Sequence, residues 1–281
     1  MDADLKSIVR FEDVSISFGD TLALDRLSFE IRAGETCVVF GAAGSGKTVM
    51  LKLALGLIRP DSGRVILFDK DIATMPEQDL LDIRARVGIL FQEGGLFDSM
   101  TVAENVAYPL ENQPAFQALA EANGSGAVKS IDERVHESLR FVELEDTVDK
   151  FPSELSGGMR RRVGIARAVV TEPALVLYDS PTAGLDPITA NTIVALILKE
   201  RDLRNTATIM VTHRLQDGQW MANFRYNPNN GAIEPAGGGD NGVKTRFLVM
   251  NQGKLVFEGP EKELLASQDP YVQKFSRPGA S

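Results

Sequence analysis

The stretch Gly41-Ala42-Ala43-Gly44-Ser45-Gly46-Lys47-Thr48 constrains this chain more than any other. It follows a short apolar run, Thr36 to Phe40, that reads as a buried parallel strand, and precedes Val49 to Leu55, which reads as a helix. Strand, glycine-rich turn and helix in that order are the context a phosphate-binding loop requires. Gly41, Gly44 and Gly46 let the backbone curl without Cβ clashes. Successive N–H groups, those of Ala42, Ala43 and Ser45 among them, are then expected to point at one spot. The start of the helix adds positive potential there. Lys47 is expected to reach terminal phosphates as a point charge, and the Thr48 hydroxyl to ligate Mg²⁺.

A chain of 281 residues with 43% hydrophobic content buries a sizeable core. Its charge of −9 and pI of about 4.9 argue against a surface built for nucleic acid. Cys37 is the single cysteine, so no internal disulfide forms and a reducing compartment is expected, with Cys37 a packed core residue. The acidic amino terminus lacks an apolar signal region, and no apolar run approaches bilayer length. A cytoplasmic location is expected, with any membrane role reached through a partner.

Residues 8–18 and Leu27 to Ile31 read as strands, as do Arg64 to Phe68 and Val87 to Phe91, with a helix over Asp79 to Arg86. From Thr101 the pattern turns helical. Thr101 with Glu104 three residues later makes a capping box, Asn123 to Gly126 reads as a flexible loop, and helical character resumes from Ile131 to Leu144. The α/β alternation then returns: a helix over Met159 to Val170, a strand over Ala174 to Tyr178, a helix over Ile188 to Arg201, a strand over Thr208 to Thr212. Residues 222–246, rich in Asn, Pro and Gly, read as a surface insertion ordered only in part. Asn251 to Lys254 marks a hairpin, and the tail from Pro260 is expected to hold one short helix. The expected fold class is α/β: a phosphate-loop core, an antiparallel β layer and an inserted helical subdomain at about 96–164. Residues 1–259 form one domain on this reading, and 260–281 a tail.

Leu155-Ser156-Gly157-Gly158-Met159 is a second anion site. Ser156 is a good N-cap, and Gly157 and Gly158 expose N–H groups at the start of the next helix. With this motif the sequence resembles the nucleotide-binding subunits of ABC transporters, because the companion motifs come in the matching order. Gln92 follows a strand, Asp179 ends the strand Leu175 to Asp179, Pro181 to Asp186 resembles the D-loop with Gly184, Leu185 and Asp186 matching best, and His213 follows the strand Thr208 to Thr212. The resemblance implies the ABC nucleotide-binding fold and an ATPase with Mg²⁺. Phe18 would stack on adenine; Gln92 and Asp179 would serve the metal with Thr48; Asp186 would lie in the nucleotide interface; His213 would contact the γ-phosphate. It also implies a homodimer, the signature of one copy closing over ATP held by the loop of the other. Arg160, Arg161, Arg162 and Arg167 read as ion pairs and helix surface, and His136 as a solvated helix residue.

Serine stands at 180, where the family usually has the glutamate that acts as general base. Hydrolysis using His213, another carboxylate or the substrate's own phosphate, and very slow hydrolysis that leaves ATP as a gate, both remain open. Gly88 to Leu110, Pro152 to Met159 and Asp269 to Phe275 are similar to the ATPase subunit of Mla-type lipid transporters. That resemblance spans nearly the whole chain except 113–129 and 222–246. It implies a pair of subunits under a membrane permease on the cytoplasmic face of the inner membrane, working with a periplasmic lipid-binding protein. The alternative is a non-transport ABC ATPase of a division-type complex.

Overall fold

Phe11 and Val14 lie three residues apart in one strand, yet both are buried on the same layer. The register slips between them, with Asp13 in the left-handed region, so a bulge restores the inward phase. The computed structural model describes residues 6–113, 129–236 and 245–276. The chain divides into two compact units, Met1–Pro76 with Ile197–Ser281, and Glu77–Leu196.

In the first unit, Ser7–Phe18 pairs antiparallel with Thr21–Arg32 on one side and Ser62–Leu67 on the other, and Lys70–Asp71 closes the layer. Phe11 stacks on Phe29 with centroids 4.7 Å apart. The second layer is parallel. Thr36–Phe40, buried at every position, lies between Thr245–Asn251 and Ala207–Val211, parallel to both. A strand buried on both faces explains why its sequence is continuously apolar rather than alternating. Cys37 sits inside it, and burial pushes its thiol up from its ordinary range, which keeps it a packing residue. Lys254–Gly259 returns antiparallel through the hairpin expected at Asn251.

Several expectations change here. The strand expected at Leu27 to Ile31 is the end of a longer one beginning at Thr21, because Gly19 and Asp20 turn the chain tightly after Phe18. Within the stretch expected as an insertion, Phe224–Asn227 pairs with Ala232–Pro235 as a hairpin that the composition did not announce. Arg201, almost fully buried, donates to the carbonyls of Met221 and Phe224, while the Asp202 carboxylate accepts from the Tyr226 N–H. The tail holds two helices, Glu261–Ala266 and Pro270–Ser276, since the Asp269 carboxylate accepts from the N–H groups of Tyr271 and Val272 and starts the second. The loop expected at Asn123 to Gly126 and the glycines at 237–239 lie outside the described residues.

In the second unit, Val87–Leu90 pairs parallel with Leu175–Asp179. Helices Glu77–Arg84, Val102–Glu111, Ile131–Phe141 and Gly157–Val169 belong to it, as does the start of Pro187–Arg204. The capping box at Thr101 and Glu104 forms as expected. A second one, Ser130 with Glu133, opens the following helix. Asn105 is fully buried, accepting from the Phe97 N–H and donating to the carbonyls of Phe97, Met100 and Thr101. A buried amide with these bonds made fixes the loop it holds, because losing any of them would strand a polar group away from water. His136 is exposed on its helix. Among the described residues, no helix is long and apolar enough to cross a membrane.

Candidate functional site

The loop from Gly41 to Thr48 leaves the carboxyl end of its strand and enters the helix Lys47–Ala54. Gly46 is the residue before that helix, at φ 101°, and a Cβ there would meet the Ala23 carbonyl oxygen at 2.7 Å. Both the backbone twist and the close approach require glycine. Lys47 folds back over the loop, its Nζ donating to the carbonyls of Gly41 (2.7 Å) and Ala42 (2.8 Å) and to the Ser45 hydroxyl (3.2 Å). The Ser45 N–H donates to the Ala42 carbonyl and the Ala42 N–H to the Tyr271 hydroxyl. The amides of Ala42 and Ser45, nominated from sequence for phosphate, are therefore engaged within the fold. Gly44 and Thr48 are exposed, as is Ala43.

Parallel pairing puts Val39 beside Val211, so the loop and His213 leave neighbouring strands at the same edge. Ligands gather at that edge in parallel sheets. His213 is exposed, and the turn carrying it is fixed by the buried Thr212 hydroxyl, which donates to Asp217 and accepts from the Arg214 N–H. Phe18, at the end of its strand, is 52% exposed, an open ring rather than a core one.

The second unit repeats the arrangement. Leu90 pairs with Tyr178, so Gln92 and Asp179 also leave adjacent parallel strands at one edge. Asp179 is buried, and its Oδ1 accepts from the Ser180 hydroxyl at 3.1 Å. Ser180 itself sits at φ 52°. After Gln92 three residues in succession, Glu93, Gly94 and Gly95, have left-handed backbones. The Ser156 hydroxyl accepts from the Met159 N–H, so the helix Gly157–Val169 begins at Gly157 with Gly158 in its first turn. Asp186 caps the next helix, accepting from the N–H groups of Ile188 and Thr189. Bonds to Thr189, then Ile188, hold its carboxyl below the ordinary range.

These motifs in this order and setting agree with a family match. The model for ABC transporters matches residues 24–183. The chain belongs to the ABC transporter family. Among its relatives is a methionine import ATP-binding protein of Rhizobium johnstonii, 37% identical over 254 residues, covering 90% of this chain but 61% of the relative's length. Another is the intermembrane phospholipid transport ATP-binding protein of Haemophilus influenzae, 29% identical over 270 residues, covering 96% of this chain and 90% of the relative. The ABC fold is equally clear from a solved dimeric ATP-binding cassette bound to ADP and Pi. It superposes with a TM-score of 0.71 at 26% identity, covering 90% of this chain and 98% of that one.

Within this ABC cassette, the arginines after the signature depart from the surface ion pairs expected of them. They reach backbone carbonyls. Arg160 donates to Leu155, Arg162 to Val142, Arg161 to Ala183 in the D-loop, and Arg167 to Gly94 (3.0 Å) and Gly95 (2.8 Å) after Gln92. Arg161 and Arg167 are buried, and desolvation lowers the affinity of both guanidinium groups for their proton. Arg167 also lies 5.6 Å from the centroid of Phe97. A Cβ on Gly164 would stand 3.0 Å from the Gly94 carbonyl, so the signature helix and the turn after Gln92 meet backbone to backbone. A cavity of about 550 Å³ opens beside them, lined by Gln92, Glu93, Gly157, Arg161, Ala183 and Leu185 among others. Spacing alone did not reveal Tyr271, Asn105 or these arginine contacts. Arg161 and Arg167 on the inner face of an amphipathic helix were the available signal.

Proposed function

We propose that this chain is the ATP-binding and ATP-hydrolysing subunit of an ABC transporter that moves phospholipids or related lipids. The observation that carries the ATP reading is the loop itself. Lys47 is gathered over a turn that only glycine at 46 permits, at the head of a helix whose first N–H groups favour anions. On this reading Lys47 and Gly41 to Thr48 hold the phosphates, and Phe18 offers its open ring to adenine. Ser156, Gly157, Gly158 and Asp186 serve the interface with a second copy, and His213 the γ-phosphate. Thr48, Gln92 and Asp179 offer hydroxyl, amide and carboxylate oxygens, a hard-donor set that suits Mg²⁺. The ion would neutralise phosphate charge. Asp179 fits that use because the Ser180 hydroxyl, donating to Oδ1, helps fix its orientation.

The lipid reading is supported by the similarity of Gly88 to Leu110, Pro152 to Met159 and Asp269 to Phe275 to Mla-type ATPase subunits. A phospholipid-transport relative matched over 96% of the chain supports it too. On this lipid reading the subunit sits under a membrane permease at the cytoplasmic face of the inner membrane and works with a periplasmic lipid-binding protein. Ser180 favours one second reading. A serine hydroxyl cannot take the proton of attacking water at neutral pH, so ATP would close a dimer and persist.

The test is ATP binding and phosphate release by the purified complex with its permease. Binding together with slow, lipid-dependent release is expected. Release responding to methionine but not to lipid overturns the substrate class. Tight binding with release at the level of a blank supports the second reading. Absence of binding overturns both.

A further inference from the structure

The Gly41–Ala42 peptide is gripped at both ends. Its carbonyl, that of Gly41, accepts from Lys47 Nζ at 2.7 Å, and its N–H, that of Ala42, donates to the hydroxyl of Tyr271, far along the chain in the helix Pro270–Ser276. The same hydroxyl donates to the Met250 carbonyl at 3.1 Å, near the end of the strand Thr245–Asn251 that runs beside the loop's own strand. One phenol thus ties the first turn of the loop to the adjacent strand.

The ring is docked independently of the hydroxyl. Tyr271 packs edge-on against Phe275 at 5.3 Å. Phe275 stacks on Phe40 at 6.2 Å, and Phe40 on Phe247 at 5.9 Å. Phe40 is the residue immediately before Gly41. Val272 and Ser276 are buried on the same short helix, and the Gln273 side chain donates to the Ser267 carbonyl. The tail is therefore a seated element with one polar contact aimed at the loop.

We infer that Tyr271 is a positioning residue for Lys47. It acts through the Gly41–Ala42 peptide and makes nucleotide affinity depend on the seating of the C-terminal helix. Lys47 uses the Gly41 and Ala42 carbonyls as its resting acceptors, and the direction of the Gly41 carbonyl follows the plane of the peptide whose N–H, that of Ala42, Tyr271 holds. Releasing that N–H lets the peptide turn, and Lys47 then samples orientations that do not meet a terminal phosphate. The inference rests on the loop being the nucleotide site, so one arm of its test needs no nucleotide.

Tyr271→Phe keeps the ring and removes both hydrogen bonds. In the nucleotide-free protein, amide hydrogen exchange over 41–46 should speed up, while exchange in the helices of 77–196 stays as in the parent. With nucleotide, the ATP Kd and the KM for ATP should rise about fivefold, the equivalent of one neutral hydrogen bond, with kcat held within about twofold. The thermal midpoint should hold, because the stack on Phe275 remains. Phe275→Ala should unseat the helix and give the same exchange change in 41–46 with a lower midpoint. Unchanged exchange in Tyr271→Phe overturns the latch, as does faster exchange with unchanged ATP affinity. If the parent protein itself fails to bind ATP, the nucleotide reading falls, and the exchange arm still judges the latch.

Discussion

The two units hold their functional loops by cations of different burial. In the first, the loop Gly41–Thr48 is held by backbone bonds, by the Tyr271 hydroxyl and by a half-buried Lys47 folded onto it. In the second, the turn after Gln92 and the D-loop are held by buried cations, Arg167 on Gly94 and Gly95 and Arg161 on Ala183. Lys47 is only half-buried, so water can replace its acceptors when it moves, whereas a buried guanidinium parted from its acceptors leaves a desolvated charge. The first unit is thus built to let its lysine leave for a ligand. The second is built to keep its backbone where it is.

Lys47→Ala removes the mobile charge and should cut ATP-dependent phosphate release by about 10²–10³-fold with folding intact, the scale of losing one preorganised donor. A smaller loss would mean the backbone carries more of the site than this contrast allows. In the second unit, on the proposed reading, Ser180 stands where a base would act. Ser180→Glu should raise phosphate release by at least about tenfold, toward the 10² typical of a positioned base. The φ of 52° is already borne by a residue with a Cβ, so this exchange adds little backbone strain. An unchanged rate would show that Ser180 is not what limits turnover.

Arg167→Met keeps the stem and removes the charge. It should lower stability by about 2 kcal/mol in urea unfolding, since bonds to a charged group contribute about 1.5–3 kcal/mol and some packing is kept. Nucleotide binding at the loop in the first unit should change little. A loss of nucleotide binding in Arg167→Met would break the contrast. The smallest effect is expected at Asp186. Its carboxyl is held below the ordinary 3.8 by Thr189 and Ile188, so its capping contribution is complete above that value. It is lost as the pH falls through the lowered native one. Asp186→Asn keeps a neutral cap and should flatten that acid limb in unfolding measured between about pH 2 and 5.

The sequence was most legible where chemistry demands fixed residue types at fixed spacing. Gly46 and Lys47, the Ser156 cap and the Thr101–Glu104 box each declare a local geometry, and each forms. Parallel pairing then explains why Gln92 and Asp179 share one edge and Lys47 and His213 another. What stayed hidden depends on contacts between residues far apart in the chain. Nothing local to Tyr271 announces Ala42 as its partner. Arg161 and Arg167 look like surface charge until the helix phase turns them inward. The second tail helix was missed because its starting signal is Asp269 rather than a long apolar pattern. The hairpin at 224–235 was hidden by Asn and Pro composition that signals loops, while its anchors, Arg201 and Asp202, lie well upstream in the helix Pro187–Arg204.

That hairpin has a practical consequence. Its root is fastened by Arg201 and Asp202, and its tip is tied across by the Glu234 carboxylate, which accepts from the side chains of Asn227 and Asn230. The turn between these strands, residues 228–231, is exposed at every position. Root and tip are fastened separately, so a fluorophore or peptide tag grafted at the turn would ride on a fixed base without loading the strand that feeds the phosphate loop. A chain of this design carries its own mounting point for a reporter.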